Sequence, residues 1–197
     1  MTHTLRILFL VFASTAVSAG QQPSQQQKDA MLAKMRPGPE HKRFEGLVGQ
    51  WTQEIKYTAG PTSTTIVKGT ATNRLILGGR FLLSERTAVH PDAAGTGEST
   101  LEAVNVYGFD RRTGEYTILE LDSMGTYWVS AAGAARPDGT IVMTGETLDD
   151  HAGSRELRQY DMTLKIVDAN TYTTTIVFKF PGRPDMTIAE GTYRRRQ

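Results

Sequence analysis

The chain has 197 residues, and its 22 basic side chains nearly balance 21 acidic ones, for a formal net charge of +1. Such a chain carries no electrostatic footprint for nucleic acid, and no polybasic run reads as a membrane-surface patch. It has no cysteine, which excludes disulfides, thiolate metal sites, iron–sulfur clusters and a catalytic thiol. The length suits one domain with a substantial core and would be cramped for two.

The first segment has the three parts of an export signal. Arg6 precedes an apolar run, Ile7 to Ala13, which continues more weakly to Val17; Val17-Ser18-Ala19 then supplies small or slim residues before Gly20. Cleavage is expected after Ala19. The run is too short for a membrane anchor, which needs about 20 apolar residues. No cysteine follows it, so lipid attachment there is excluded. The expected product is soluble, periplasmic or secreted, with no integral membrane anchor.

Residues 20–38 read as a polar tail followed by a short helix. Ser24 and Gln27 have the spacing of a capping box, and Met31 and Met35 stand one helical turn apart. Pro39 sits where a first helical residue would be, and a second short helix is expected over Glu40–Leu47 with Phe44 and Leu47 on its apolar stripe. From Trp51 onward the period changes to two, and β-branched and aromatic residues cluster between turn residues. Strands are expected at Trp51–Thr58, Thr64–Leu77, Arg80–Val89, Leu101–Asp110, Glu115–Ser123, Thr126–Ala132, Thr140–Leu148, Arg155–Val167, Thr171–Phe180 and Asp185–Arg194. The turns between them, such as Gly78-Gly79, Arg112-Thr113-Gly114 and Pro137-Asp138-Gly139, favour tight reversals. Pro91–Thr100 is the longest connection and the expected mobile loop.

Strands joined in sequence by short turns form an antiparallel meander, and a sheet this long closes to remove its edges. The expected fold is all-β: residues 39–197 as a single up-and-down antiparallel β-barrel of about eight to ten strands, preceded by one or two short helices.

Gly49-Gln50-Trp51, opening the first strand after a short helix, resembles the Gly-x-Trp feature of the lipocalins and the wider calycin superfamily. That resemblance implies a tryptophan plugging the closed end and an arginine of the last strand packed across its ring. Arg194, Arg195 and Arg196 are the candidates, with Arg194 assigned alongside Gly49 and Trp51. A wider resemblance covers most of the chain. Gly38-Pro39-Glu40-His41-Lys42, Leu47-Val48-Gly49-Gln50-Trp51, Gly69-Thr70-Ala71-Thr72-Asn73, Ile76-Leu77-Gly78-Gly79-Arg80-Phe81-Leu82, Gly108-Phe109-Asp110, Asp122-Ser123-Met124 and Thr192-Tyr193 resemble the bacterial family called domain of unknown function 1579 (DUF1579). It implies a calycin-like barrel and no activity.

The commonest catalytic signatures are missing. There is no Gly-x-Ser-x-Gly elbow, no phosphate loop, no paired histidines one turn apart and no dinucleotide fingerprint. His151 has Asp149 and Asp150 beside it, an arrangement read as a solvated turn, and no metal site is expected. No cofactor is expected either. Haem would need a histidine facing the cavity, and only His90 is placed to reach inward.

The candidate site residues lie within strands. Phe81, Leu83 and Glu85 share one face, Tyr116, Ile118, Glu120 and Asp122 another, and Leu101, Ala103, Asn105, Tyr107 and Phe109 a third. If these rows face the lumen, Glu85, Glu120 or Asp122 is a carboxylate in an apolar cavity, with a raised pKa, serving as ligand anchor or general base. If the opposite rows face inward, these acids are ordinary solvent-facing residues; alternation does not choose. Met124, Tyr127 and Trp128 cluster around Gly125 at a strand end, and suit either the rim of an open mouth or a satellite cluster beneath a loop. The expected ligand-binding set is Phe81, Glu85, Asn105, Tyr107, Asp122, Met124 and Trp128, and the expected ligand is a small, mostly apolar molecule held by a monomer or homodimer. Two alternatives stand beside this reading: an enzyme using Glu85 or Asp122 as general base, and an envelope protein-interaction module.

Overall fold

A computed structural model describes residues 22–60, 63–91, 97–148 and 156–197. The chain divides into two units, residues 1–33 and 34–197. In the first lies nearly all of helix α1 (Gln25–Lys34). Its capping box is formed as expected: the Ser24 amide donates to Gln27 Oε1 (2.8 Å), and the Gln27 amide donates to Ser24 Oγ (3.2 Å). No helix among the described residues is long and apolar enough to cross a membrane.

The second unit opens with a 3-10 helix, Pro39–Leu47. Ten strands follow: β1 (Gly49–Gly60), β2 (Ser63–Ile76), β3 (Phe81–Pro91), β4 (Glu98–Asp110), β5 (Glu115–Asp122), β6 (Trp128–Ala135), β7 (Ile141–Leu148), β8 (Leu157–Asp168), β9 (Thr171–Phe178) and β10 (Met186–Arg195). Each pairs antiparallel with its neighbours in sequence, and β1 pairs with β10 to close the barrel. This is the expected up-and-down barrel, with an element at each of the ten expected places. The expected mobile loop falls on Pro91–Thr100, of which residues 92–96 lie outside those described.

The meander sends the turns after β2, β4, β6 and β8 to the end that carries the 3-10 helix. Connections after β1, β3, β5, β7 and β9 lie at the opposite end. The helix end is packed solid. Phe44 and Leu47 of the 3-10 helix, Trp51, Tyr116, Met143, Leu164, Tyr172 and Tyr193 are all buried in one cluster. The Tyr172 and Tyr193 rings stack at 4.2 Å, and Trp51 meets Tyr172 edge-on at 4.7 Å. Toward the other end the same cluster continues through Tyr160 and Phe178, and Val67, Ala88 and Leu101 form a second, smaller one.

An arginine seals the packed end, and it is Arg195, not Arg194. Its guanidinium carbon lies 4.2 Å from the centroid of the Trp51 ring. It donates to three backbone carbonyls: Nε to Ala169 (3.0 Å), Nη1 to Val48 (2.7 Å) and Nη2 to Gly46 (2.7 Å). Trp51 pairs directly with Arg195 across the β1–β10 ladder, and direct partners share a face, so the arginine one residue earlier points away. Gly49 has φ +129°, and a Cβ there would stand 2.7 Å from Arg195 Nη1. That position therefore demands glycine twice over, for its dihedral and for its space.

Candidate ligand cavity

The strand register decides which rows face inward. Ser84 pairs with Asn105, and both are buried. The inner row of β3 is therefore Leu82, Ser84, Arg86 and Ala88, and the row of Phe81, Leu83 and Glu85 lies outside. Glu85 is exposed and ion-paired with Arg74 of β2 (3.4 Å). Phe81 lies over Gly108, its cross-strand partner, where a Cβ would come within 2.8 Å of the ring. Both depart from the expected lumen set. The β4 and β5 rows face inward as the lumen alternative required.

Between the packed end and the opposite mouth lies a cavity of about 200 Å³. Its wall is largely apolar, with Ile55, Leu101, Val129, Met162, Ile176 and Phe178. A bulge between Thr187 and Ala189 turns two consecutive residues, Ile188 and Ala189, onto this wall. Of the expected ligand-binding residues, Asn105, Tyr107, Asp122 and Met124 line it; Phe81, Glu85 and Trp128 do not. Trp128 pairs with Leu121 on the outer surface and is 67% exposed. Met124 and Tyr127, in the connection after β5, are exposed at the mouth.

A polar cluster interrupts the apolar wall. Arg86 Nη2 donates to Glu120 Oε1 (2.7 Å), and Arg86 Nη1 donates to the Tyr193 hydroxyl (3.2 Å). Asn105 Nδ2 donates to the second oxygen of Glu120 (2.7 Å). Glu120 thus bridges β3 and β4, with both oxygens held. The pair is largely withdrawn from solvent, its side chains 12% and 15% exposed. Burial works against the charge on Arg86, but the Tyr193 and Glu120 oxygens outweigh it and raise its pKa above the ordinary arginine value. Burial pushes Tyr57 up to about 12 and Tyr160 up to about 12, and holds Tyr107 higher still. The hydroxyls of Tyr57, Tyr107 and Tyr160 are neutral hydrogen-bonding groups at physiological pH.

Arg86, Tyr57, Tyr160 and Tyr193 were absent from the expected set. One signal for Arg86 lay in the hairpin: if Asn105 and Tyr107 face inward, tight pairing through Gly108 and Phe81 fixes the even-numbered residues of β3 inward as well. Asp122, one of two alternative catalytic carboxylates, stands at the mouth, with Oδ1 accepting the Met124 amide (2.8 Å); Glu85, the other, is outside.

No histidine lines the cavity among the described residues. His90 lies near the mouth end of β3, its Nδ1 2.6 Å from the Pro91 carbonyl, and His151 with Asp149 and Asp150 lies outside the described residues. The described lining therefore offers no histidine to a haem. Among the described residues no group of three or more histidine, aspartate or glutamate side chains is arranged to hold a metal ion.

A closed up-and-down barrel, sealed at one end by a tryptophan–arginine pair and hollow toward the other, has the architecture of a calycin-like barrel, consistent with the lipocalin-like superfamily. The chain belongs to the family described as "Protein of unknown function (DUF1579)", whose model matches residues 36–195. No curated protein matches it.

Proposed function

We propose that this protein is exported and binds a small, mostly apolar molecule within its barrel. The observation that carries the binding reading is the division of the interior. One end is packed with aromatic rings and capped by the 3-10 helix, while the other holds a cavity of about 200 Å³ walled mainly by aliphatic and aromatic side chains, with the Arg86–Glu120–Asn105 cluster set among them. A folded core has no stability reason to leave such a space empty, because unfilled apolar volume forfeits dispersion contacts. A cavity of about 150 Å³ takes a benzene-sized guest, so the volume suits a molecule of about eight non-hydrogen atoms. The sequence of Met1–Ala19 supports export.

Native mass spectrometry of the protein purified from an envelope extract tests both parts. A reproducible added mass that disappears on denaturation is expected, on a polypeptide beginning at Gly20. A chain that begins at Met1 overturns export. A bare polypeptide that also takes up no small apolar molecule added in solution overturns binding.

A further inference from the structure

We infer that the cavity takes a cationic amphiphile: an ammonium group seated at the mouth beside Asp122, on a short apolar body that lies inside the barrel. The inference rests on the binding reading above and adds the charge and the placing of the ligand's head.

The first observation is the sign of the lining. Among the residues that line the cavity only Arg86, Glu120 and Asp122 are charged. Arg86 and Glu120 neutralise each other at 2.7 Å, which leaves Asp122 as the uncompensated charge. Arg158, near the mouth end of β8, does not line the cavity; its guanidinium stacks on Phe180 at 4.4 Å and lies 3.7 Å from Glu156. A low-dielectric cleft of one sign concentrates ligands of the other.

The second observation is where that charge stands. Asp122 pairs with Ala103, which is buried and lines the cavity, so the Asp122 side chain belongs to the inward row. It lies two residues beyond Glu120 along β5, about 7 Å nearer the mouth, and it is exposed. Its Oδ1 accepts the Met124 amide (2.8 Å), and its other oxygen has no partner among the described residues. Asp122 therefore offers an accessible oxygen, which the buried Arg86–Glu120 pair does not. An ammonium group there keeps water on its outer side and escapes most of the cost of burying a charge.

Aromatic rings reinforce the same sign. Tyr127 lines the cavity from the connection after β5, and Tyr57 lines it from β1. Burial is the main reason that the Tyr57 pKa is raised, and Glu120 and Asp122 add to it, so the field of these carboxylates reaches across the interior. Ring faces attract cations. A carboxylate head would meet Asp122 as a like charge, while Arg86 is already taken by Glu120 and the Tyr193 hydroxyl. A neutral head gains nothing from the charge.

The test is calorimetric titration of the full chain, at neutral pH and low ionic strength, with heptylammonium, 1-heptanol and heptanoate, which share a carbon count. Heptylammonium is expected to bind at least about threefold more tightly than heptanol, the gain of one partly exposed ion pair, and heptanoate more weakly than either. Heptanol or heptanoate binding as tightly as heptylammonium overturns the inference and leaves the binding reading standing. If none of the three binds, the binding reading itself falls. Asp122→Asn removes the charge and keeps an acceptor for the Met124 amide, so heptylammonium is expected to fall to within about twofold of heptanol. Glu85→Gln removes a carboxylate from the outer surface, and the preference for heptylammonium is expected to persist in it. A folded Asp122→Asn protein that keeps the preference, or an equal loss in Glu85→Gln, overturns the inference; if Asp122→Asn does not fold, the titrations of the unaltered chain decide.

Discussion

The Arg195 guanidinium lies over the Trp51 ring while its nitrogens bind the carbonyls of Gly46, Val48 and Ala169. One side chain thus ties the first strand, the last strand, the end of the 3-10 helix and the β8–β9 turn. Trp51 completes the joint, its Nε1 donating to the Leu47 carbonyl (2.9 Å), which also accepts from Asn73 Nδ2 (3.0 Å).

Replacing Arg195 by lysine removes the planar fork that makes three bonds at once and weakens the stacking. Arg195→Lys is expected to cost about 2–3 kcal/mol in urea unfolding. Arg194→Lys, on the other face, is expected to change stability by less than about 0.5 kcal/mol. Equal effects at the two positions would remove Arg195 from the seal.

Gly49→Ala is expected to destabilise by about 1–3 kcal/mol, since alanine at a positive φ is strained and its methyl group meets Arg195. Gly46→Ala is the control three residues away. Nothing lies within 4 Å of the Cβ it would add, and a change of under about 1 kcal/mol is expected. Thermal denaturation of the two variants side by side reads the difference.

His41 is buried against the edge of Phe109, and its Nδ1 accepts the Gly38 amide (3.1 Å). Burial, more than any neighbouring charge, lowers its pKa from 6.5. Folding therefore releases a proton that the unfolded chain holds. The stabilisation from His41 is present above about pH 6.5 and is lost as pH falls through the lower folded-state value. His41→Asn keeps an acceptor for the Gly38 amide and cannot titrate, so the decline of the melting temperature on acidification is expected to be shallower in this variant. An identical slope would show that His41 does not contribute.

The buried tyrosines give a spectroscopic prediction. Tyr57 and Tyr160 are pushed up to about 12, and Tyr107 and Tyr172 are also held above the ordinary value of 10.0. The native protein titrated through pH 10 is expected to develop less than half the phenolate absorbance of the same chain in denaturant. Matching curves would mean that the tyrosines lie open to water.

Two of the three candidate acids, Glu120 and Glu85, separate cleanly on stability. Glu120→Ala strands Arg86 inside the barrel and is expected to cost about 3 kcal/mol. Glu85→Ala removes an exposed ion pair and is expected to cost under about 0.5 kcal/mol. The contrast is measured by equilibrium unfolding at neutral pH.

Period-two alternation, turn residues and the Gly49-Gln50-Trp51 triplet made the barrel legible, down to ten strands in the right order. Alternation is blind to absolute direction, and this limited the site. In β3 the inner row carries Ser84 and Arg86, while the outer row carries Phe81 and Leu83. Hydropathy therefore points the wrong way, because Arg86 is made tolerable inside by Glu120, thirty-four residues further along the chain. The same parity separates Arg195 from Arg194: one residue of register is a full reversal of face. Trp128 shows the limit of residue type, since an aromatic at a strand end fits a rim equally well from inside or outside.

The pairing of position 51 with position 195 also sets a condition on assembly. The barrel closes only when its last strand reaches its first, so the clasp spans nearly the whole barrel sequence. A nascent chain that has not yet yielded β10 has two raw sheet edges and no seal. Closure of the barrel and formation of the Trp51–Arg195 seal are thus one event, and both wait on β10.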